Sequence, residues 1–309
     1  MSPPRKHCFS AFSPQGAKKR LGRPCAFLDM RNLLHSAGLR HAALIAMAVM
    51  VALPLYLAVV AASHTPQDLL GHFPLLPGDM LFNNLGEVLT KGLPGTIPVW
   101  RMLLNSLIMA LGITVGKLFI SILSAYAVVY FRFPLRMAAF WLIFFTLMMP
   151  IEVRFFPTYQ ISANLHLLNS YSGLIFPLIA SATATFLFRQ FFMTLPRSLA
   201  DAARIDGAGP IRFFLDMVLP LSRTNIAALF VLVFVYGWNQ YLWPLLTTTD
   251  ASYTTVVMGM QGMINAGAAF ALPRWDLIMA TALLALLPPV IVVLLMQRWF
   301  IKGLTDSDK

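Results

Sequence analysis

Residues 195–225 read LPRSLADAARIDGAGPIRFFLDMVLPLSRTN. Pro196 or Ser198 can open a helix, and Leu199 to Asp206 supports a short one. Gly207 and the Gly209-Pro210 pair then stop it. Ile211, Phe214, Leu215 and Val218 recur at helical spacing, which predicts a second short helix that Pro220 ends. The segment therefore reads as helix, glycine break, helix, lying at a membrane surface. Its small residues Ala202, Ala203 and Ala208 are expected to be exposed there. Small side chains let the backbone of a partner come close, and a merely solvated loop has no need of them with apolar residues behind.

Outward from this segment the chain becomes strongly apolar. Of its 309 residues 58% are hydrophobic and 11% charged, against roughly 25% charged in a soluble domain. A bilayer-crossing helix needs about 20 mostly apolar residues. Six stretches qualify: Ala42–Ala62, Leu103–Val129, Met137–Pro157, Gly173–Phe192, Asn225–Leu246 and Leu277–Met296. Backbone groups in hydrocarbon need internal partners, so these are expected to be helices, and such unbroken runs do not fit the alternating strands of a barrel. The predicted fold class is an all-α polytopic membrane protein with six transmembrane helices. Pro54, Pro150, Pro177, Pro288 and Pro289 interrupt the spans, and several kinks in one small bundle suit a moving pathway better than an anchor. Gly112 and Gly116 form a small-xxx-small pair expected to allow close helix packing.

The basic residues set the orientation. Most of the 23 Lys and Arg fall in four places: the tail before the first span, the turn at Arg132 and Arg136, the segment from Arg189 to Arg223, and the C-terminal tail with Arg298, Lys302 and Lys309. By the positive-inside rule this side is the cytoplasm and holds both termini. The domains follow: a basic tail 1–41, a membrane domain 42–297 with the loop 195–224 inside it, and a C-terminal tail 298–309. The first 40 residues lack helical periodicity and fit a secretory signal poorly; a second reading starts the protein at Met30, just before the basic lead Arg31–His41. The net charge of +11 belongs to this membrane asymmetry, and no grouped basic module points to nucleic acid. Cys8 and Cys25 give no disulfide framework and the six scattered His no metal site.

The run LADAARIDGAGPIRFFLDMVLPL closely resembles the EAA loop of binding-protein-dependent ABC importer permeases. The family usually begins this loop with Glu; here it runs Asp201-Ala202-Ala203, then Asp206-Gly207-Ala208. YGWNQYLWPL, residues 236–245, resembles the end of span five in the maltose-type carbohydrate-uptake group, and MLLNSLIMALGITVGKLFISILSAYAVVYFRFPLR, IEVRFFPTYQISANL and SATATFLFRQFFMTLP look like its glycerol-3-phosphate branch. The resemblance implies a type I importer permease fold in the bacterial inner membrane. It implies that Asp201, Ala202, Ala203, Asp206, Gly207, Ala208, Phe213 and Phe214 form coupling helices that dock on an ATPase. It also implies three kinds of partner: a second permease subunit, a homodimeric ATPase and a periplasmic binding protein. The cargo it implies is sn-glycerol-3-phosphate and glycerophosphodiesters, with a sugar or oligosaccharide as the alternative. Relatives in the sugar group often end in a GAVKG-like stretch that touches the ATPase, where this chain has Asp306, Ser307 and Asp308.

Direct reading of the residues fits this. No phosphate-cradling G-x-x-x-x-G-K-[ST] occurs, so ATP and Mg are expected on a partner and no cofactor on this chain. No catalytic constellation groups at one membrane face, which argues against an embedded enzyme, and a channel acting alone has no need of the Ala-Asp-Gly loop. Lys117, Glu152 and Arg154 lie within or near spans, where ionisable residues are costly and mark pathways. Glu152, about 15 residues into span three and so about 22 Å along it, is expected in the outer part of the membrane. Arg154 is the candidate phosphate contact, because guanidinium matches phosphate geometry. Lys117 is expected to snorkel or to hydrogen-bond between helices. Asn239 and Gln240 are candidates for an outer vestibule.

Overall fold

A computed structural model describes residues 37–71, 74–92, 96–149, 151–270 and 273–305. The basic tail with the alternative start at Met30, and the C-terminal Asp306, Ser307 and Asp308, lie outside the described residues. The chain divides into two units, Met1–Pro54 and Leu55–Lys309. The described part of the first unit is the apolar leading stretch of helix α1 (Ala37–Ala62), whose Pro54 sits at the division.

The regular secondary structure of the second unit is all helical among the described residues, as the hydrocarbon requirement for internal hydrogen bonds demands. After the end of α1 come two short helices, α2 (Pro66–Gly71) and α3 (Leu81–Thr90), then the long α4 (Val99–Tyr130). Next are α5 (Arg136–Met148), α6 (Ile151–Asn164), α7 (Tyr171–Leu178) and α8 (Ala182–Thr194). The loop singled out by sequence is built of α9 (Arg197–Ile205) and α10 (Pro210–Leu221). The remainder is α11 (Arg223–Trp238), α12 (Leu242–Thr247), α13 (Val256–Phe270) and α14 (Trp275–Thr305). Helices α2, α3 and α13 fall in segments expected to be loops.

The spans differ from expectation in their breaks. Among the described residues, three helical stretches, Gly38–Ala62, Val99–Tyr130 and Trp275–Arg298, are each long and apolar enough to cross a membrane alone. Two bent pairs, α7 with α8 at 47° and α10 with α11 at 71°, reach the same length and apolarity only when each pair is taken together. The expected third span is divided between α5 and α6. Met149, before Pro150, has φ −78° and ψ 126°. A proline disfavours helical backbone at the residue before it and cannot donate to the helical ladder. The expected fifth span stops at Trp238, where Asn239 takes φ −84° and ψ 9°, and α12 begins afresh.

Helix α4 is the axis of this unit and packs along α8 and α11, while α11 in turn packs on α14. Lipid tails are as apolar as the helix faces, so association depends on close van der Waals fit and interhelical hydrogen bonds. Gly112 and Gly116 provide that fit. A Cβ at these positions would stand 2.6 Å from Ile175 Cδ1 and 2.5 Å from Ile179 Cγ2. The pair is a socket for the end of α7 and the turn after it. One apolar core beside the N-terminal half of α4 joins Met102, Ala110, Phe234 and Ile278, and another beside its C-terminal end joins Ile122, Tyr126, Phe188, Phe213 and Leu229.

Candidate functional site

Two places concentrate the residues singled out by sequence. The first is the loop 195–222. Helix α9 ends on Gly207, which has φ +73°; this left-handed conformation costs other residues roughly 1–2 kcal/mol. The Gly207 amide donates to the Arg204 carbonyl at 3.1 Å and the Ala208 amide to the Ala203 carbonyl at 2.8 Å. This is the double-bonded glycine cap of a Schellman motif, whose apolar contact joins the residues flanking the cap. Here those residues are Ala203, which is buried, and Ala208, which packs on the same core. The alanine pair thus has a local role, and the expectation that Ala203 is exposed is corrected: it closes the cap from inside. Ala202 is exposed as expected.

The tip of the loop stands free of the rest of the described chain. Nothing lies within 4 Å of where a Gly207 Cβ would be. Ile205 and Ile211 on either side of it are 87% and 76% exposed. Asp206 is exposed at the end of α9, and Asp201 pairs with Arg204 at 3.2 Å on the surface, a contact worth at most about 1 kcal/mol. Phe213 is buried and Phe214 half-buried. Both rest on aromatic rings of α4: Tyr126 lies 4.9 Å from Phe214 and Tyr130 lies 5.3 Å from Phe213, centroid to centroid. The Tyr126 hydroxyl donates to the Pro210 carbonyl at 2.8 Å. Tyr126 and Tyr130 were not among the sequence candidates; their spacing of one helical turn near the end of an apolar span was the available signal.

Below the loop, α10 widens to a π-helical turn at Phe214–Val218. Pro220 follows, lacking an amide and crowding the preceding turn. At the 71° corner into α11, Ser222 is buried and its hydroxyl donates to the Val218 carbonyl at 2.5 Å. The loop is thereby joined to a membrane span through a bend whose polar groups are satisfied inside the protein.

The second place is a cavity of about 370 Å³ between α4, α6, α7, α8 and α11, lined among others by Lys117, Arg154, Thr158, Ser181 and Tyr236. Its volume falls in the range of small-ligand sites. Lys117 is far from both ends of the 32-residue α4, about 27 Å from one and about 20 Å from the other at 1.5 Å per residue. It does not snorkel. Its Nζ sits 3.8 Å from the centroid of the Tyr236 ring, because the cation–π contact and the cavity give the ammonium a local refuge nearer than either interface. Arg154 lines the same cavity, and no carboxylate among the described residues forms an ion pair with either cation. Glu152 lies on α6, with its side chain outside the described residues. Asn239 and Gln240 are placed elsewhere: Asn239 is exposed at the end of α11, and the Gln240 side chain donates to the Tyr236 carbonyl at 3.1 Å. Among the described residues no cluster of His, Cys, Asp or Glu is arranged to hold a metal.

A bundle of broken spans, with a capped helical loop at one end and a charged cavity inside, is the architecture of a solute permease. Residues 117–306 match the family described as "Binding-protein-dependent transport system inner membrane component", and the chain belongs to this family. Among its relatives, it is 58% identical over 271 residues to the sn-glycerol-3-phosphate transport system permease protein UgpE of Yersinia pestis bv. Antiqua (strain Antiqua), covering 87% of this chain and 96% of that one. The proteins of the same description from Pectobacterium atrosepticum and Escherichia coli O1:K1 / APEC are 57% and 55% identical over the same shares. The fold is also that of a chain in the crystal structure of a bacterial ABC transporter involved in the import of the acidic polysaccharide alginate. That match has a TM-score of 0.74 at 20% identity, covering 90% of this chain and 100% of that chain. The chain is accordingly a multi-pass permease subunit of the inner membrane.

Proposed function

We propose that this permease passes sn-glycerol-3-phosphate, and glycerophosphodiesters with it, across the inner membrane, driven by ATP hydrolysed on a separate subunit. Identity of 55–58% to UgpE permeases along nearly the whole chain is the observation that carries the cargo. The cavity supports it. Lys117 and Arg154 offer two cations to a small anion in a low-dielectric setting, where charge-assisted hydrogen bonds contribute roughly 1.5–3 kcal/mol each. A neutral sugar, with no charge to pair, gains less from them. In this reading α9 and α10 seat in a homodimeric ATPase, with Asp201, Asp206, Gly207, Ile205 and Ile211 at the contact. A second permease completes the pathway, a periplasmic binding protein delivers cargo, and both termini lie in the cytoplasm. The membrane domain spans 42–297 with the coupling loop at 195–224.

The test is ATP-driven uptake of labelled glycerol-3-phosphate, against maltose, by the complete transporter in proteoliposomes. Glycerol-3-phosphate uptake with no maltose uptake is expected. Arg154→Gln and Lys117→Gln are each expected to lower uptake at low substrate by at least about tenfold, equivalent to about 1.4 kcal/mol, with the ATPase still assembled. Unchanged uptake in both variants would remove the cavity from the pathway, and wild-type transport of maltose alone would remove the cargo.

A further inference from the structure

The strongest charged feature outside the central cavity is a cleft of about 580 Å³ at the inner ends of α4, α5 and α8, which borders the coupling contact at Asp201. Five arginines line it, Arg132, Arg136, Arg189, Arg197 and Arg204, against a single carboxylate, Asp201. Asp201 is engaged by Arg204 at 3.2 Å. The other four have no acidic partner among the described residues. Two like charges about 8 Å apart repel by about 2 kcal/mol at an effective dielectric constant of 20. Four guanidiniums that face one space with no carboxylate to pair are therefore an arrangement that lacks its counter-charge.

The cations are held as well as gathered. Arg189 projects from α8 with its Cζ 4.1 Å from the centre of the Phe140 ring on α5. The Arg136 guanidinium donates to the Phe131 carbonyl at 3.4 Å. The wall between them is apolar: Val128 and Phe192 are buried, while Met137 and Met193 line the cleft and are exposed. A cationic rim over an apolar wall, at the ends of membrane-spanning helices, is the shape of a lipid headgroup with its chains below it. Guanidinium binds phosphate oxygens two at a time, and basic pockets between helices on the cytoplasmic side suit anionic headgroups.

We propose that this cleft binds the phosphate headgroup of an anionic phospholipid of the inner leaflet, with Arg132, Arg136 and Arg189 as its principal contacts. An acidic surface on a protein partner would satisfy the same charges, but the apolar wall and the exposed methionines favour a ligand with acyl chains. The inference rests on the cytoplasmic placement of this end proposed above.

The experiment uses the assembled transporter, stripped of lipid and returned to nanodiscs of phosphatidylcholine with or without phosphatidylglycerol. Retained lipid is read by native mass spectrometry and thermal stability is followed in parallel. Wild type is expected to hold phosphatidylglycerol over phosphatidylcholine by at least about tenfold, and Arg132→Gln/Arg189→Gln to lose that preference. A second variant, Met137→Glu, keeps every arginine and places a carboxylate on the exposed wall; it too is expected to release the lipid. Equal preference in both variants, no preference in wild type, or equally tight retention of inorganic phosphate would each overturn the lipid site. Loss of the ATPase from the double variant with lipid retention unchanged would assign the arginines to a protein surface and overturn it as well. External thiol labelling of an Asp206→Cys variant, with lipid preference intact, would reject the orientation while leaving the cleft's ligand in place.

Discussion

The two connections that flank α11 are fastened to α4 by different means. At the end proposed above to be the inner one, the loop 195–222 rests on aromatic rings and on one hydroxyl, that of Tyr126. At the outer end, the segment 247–256 is fixed by directed hydrogen bonds. Asn105, fully buried, donates to the Ser252 and Thr254 carbonyls at 2.8 and 2.9 Å and accepts from the Tyr171 hydroxyl at 2.8 Å. The Ser106 hydroxyl accepts the Val256 amide, and the Asn169 side-chain oxygen accepts the Thr249 and Asp250 amides. Ring packing is non-directional, so a loop can shift over it while losing little. A set of directed bonds holds one register, and a shift breaks several at once. An importer driven from its inner face, as proposed above, needs the compliant seat at that face and the fixed one opposite.

The comparison breaks most sharply at Gly207. Gly207→Asp is expected to reduce ATP-driven uptake to background while the protein still reaches the membrane. Aspartate tolerates the left-handed conformation better than most residues, and the space around the position is open. The fold cost is therefore about 1 kcal/mol, and the damage falls on the contact with the partner. Uptake assays beside membrane quantification check this; normal uptake would show that the tip is not the point of drive.

Asn105→Ala attacks the opposite seat. It orphans two backbone carbonyls and a tyrosine hydroxyl at a buried site, at a cost of about 1–3 kcal/mol for an unsatisfied group. A loss of about 3 kcal/mol is expected in thermal unfolding of the purified transporter. A loss under about 1 kcal/mol would mean that the outer seat is not held by this network.

Tyr126→Phe sharpens the contrast. It keeps the rings stacked and removes one hydrogen bond to Pro210, so the expected loss is about 1 kcal/mol with transport retained. Should Tyr126→Phe destabilise as much as Asn105→Ala, the inner seat would be as directional as the outer one and the distinction would fall.

These two seats were unequally legible in the sequence. The helix–break–helix of the inner loop could be read because Gly207, Gly209 and Pro210 act locally: each constrains its own backbone or its neighbour's. Which apolar residues face inward could not be read. The π-helical turn at Phe214–Val218 departs from the helical period, so Phe213 and Val218 are buried while Ile211 and Leu215 are exposed. Likewise a span interrupted at Met149 looks continuous by hydropathy, since the break lies in the backbone of Met149 and not in the polarity of its side chain. At the outer seat almost nothing was legible. Asn105 meets partners 66, 147 and 149 positions away, and no local pattern announces a bond across such distances. The central cavity lies between: Arg154 and Lys117 stood out as charges in apolar runs, but that they share one space with Tyr236 depends on how α4, α6 and α11 meet.

The smallest effect concerns the rim of the outer seat and its response to pH. Asp250 accepts the Ser252 amide at 2.8 Å, capping the short turn Ala251–Tyr253. That backbone hydrogen bond, with a further contact to the Ser252 side chain, holds the Asp250 carboxyl below its ordinary value, aided by the charge of Arg101 and opposed by slight desolvation. The folded-state pKa is depressed, so the cap's contribution is present above the unfolded value, near 3.9, and is lost as pH falls through the lower folded value. Hydrogen exchange at the Ser252 amide is therefore expected to be unchanged from neutral pH down to about 5, once corrected for intrinsic exchange, and to lose protection only below about 4. Asp250→Asn keeps an acceptor oxygen without the charge and is expected to remove that acid step. An acid step of the same size in Asp250→Asn would place the titrating group elsewhere in the outer seat, and the buried network around Asn105, which contains no carboxylate, would still account for the seat's stability at neutral pH.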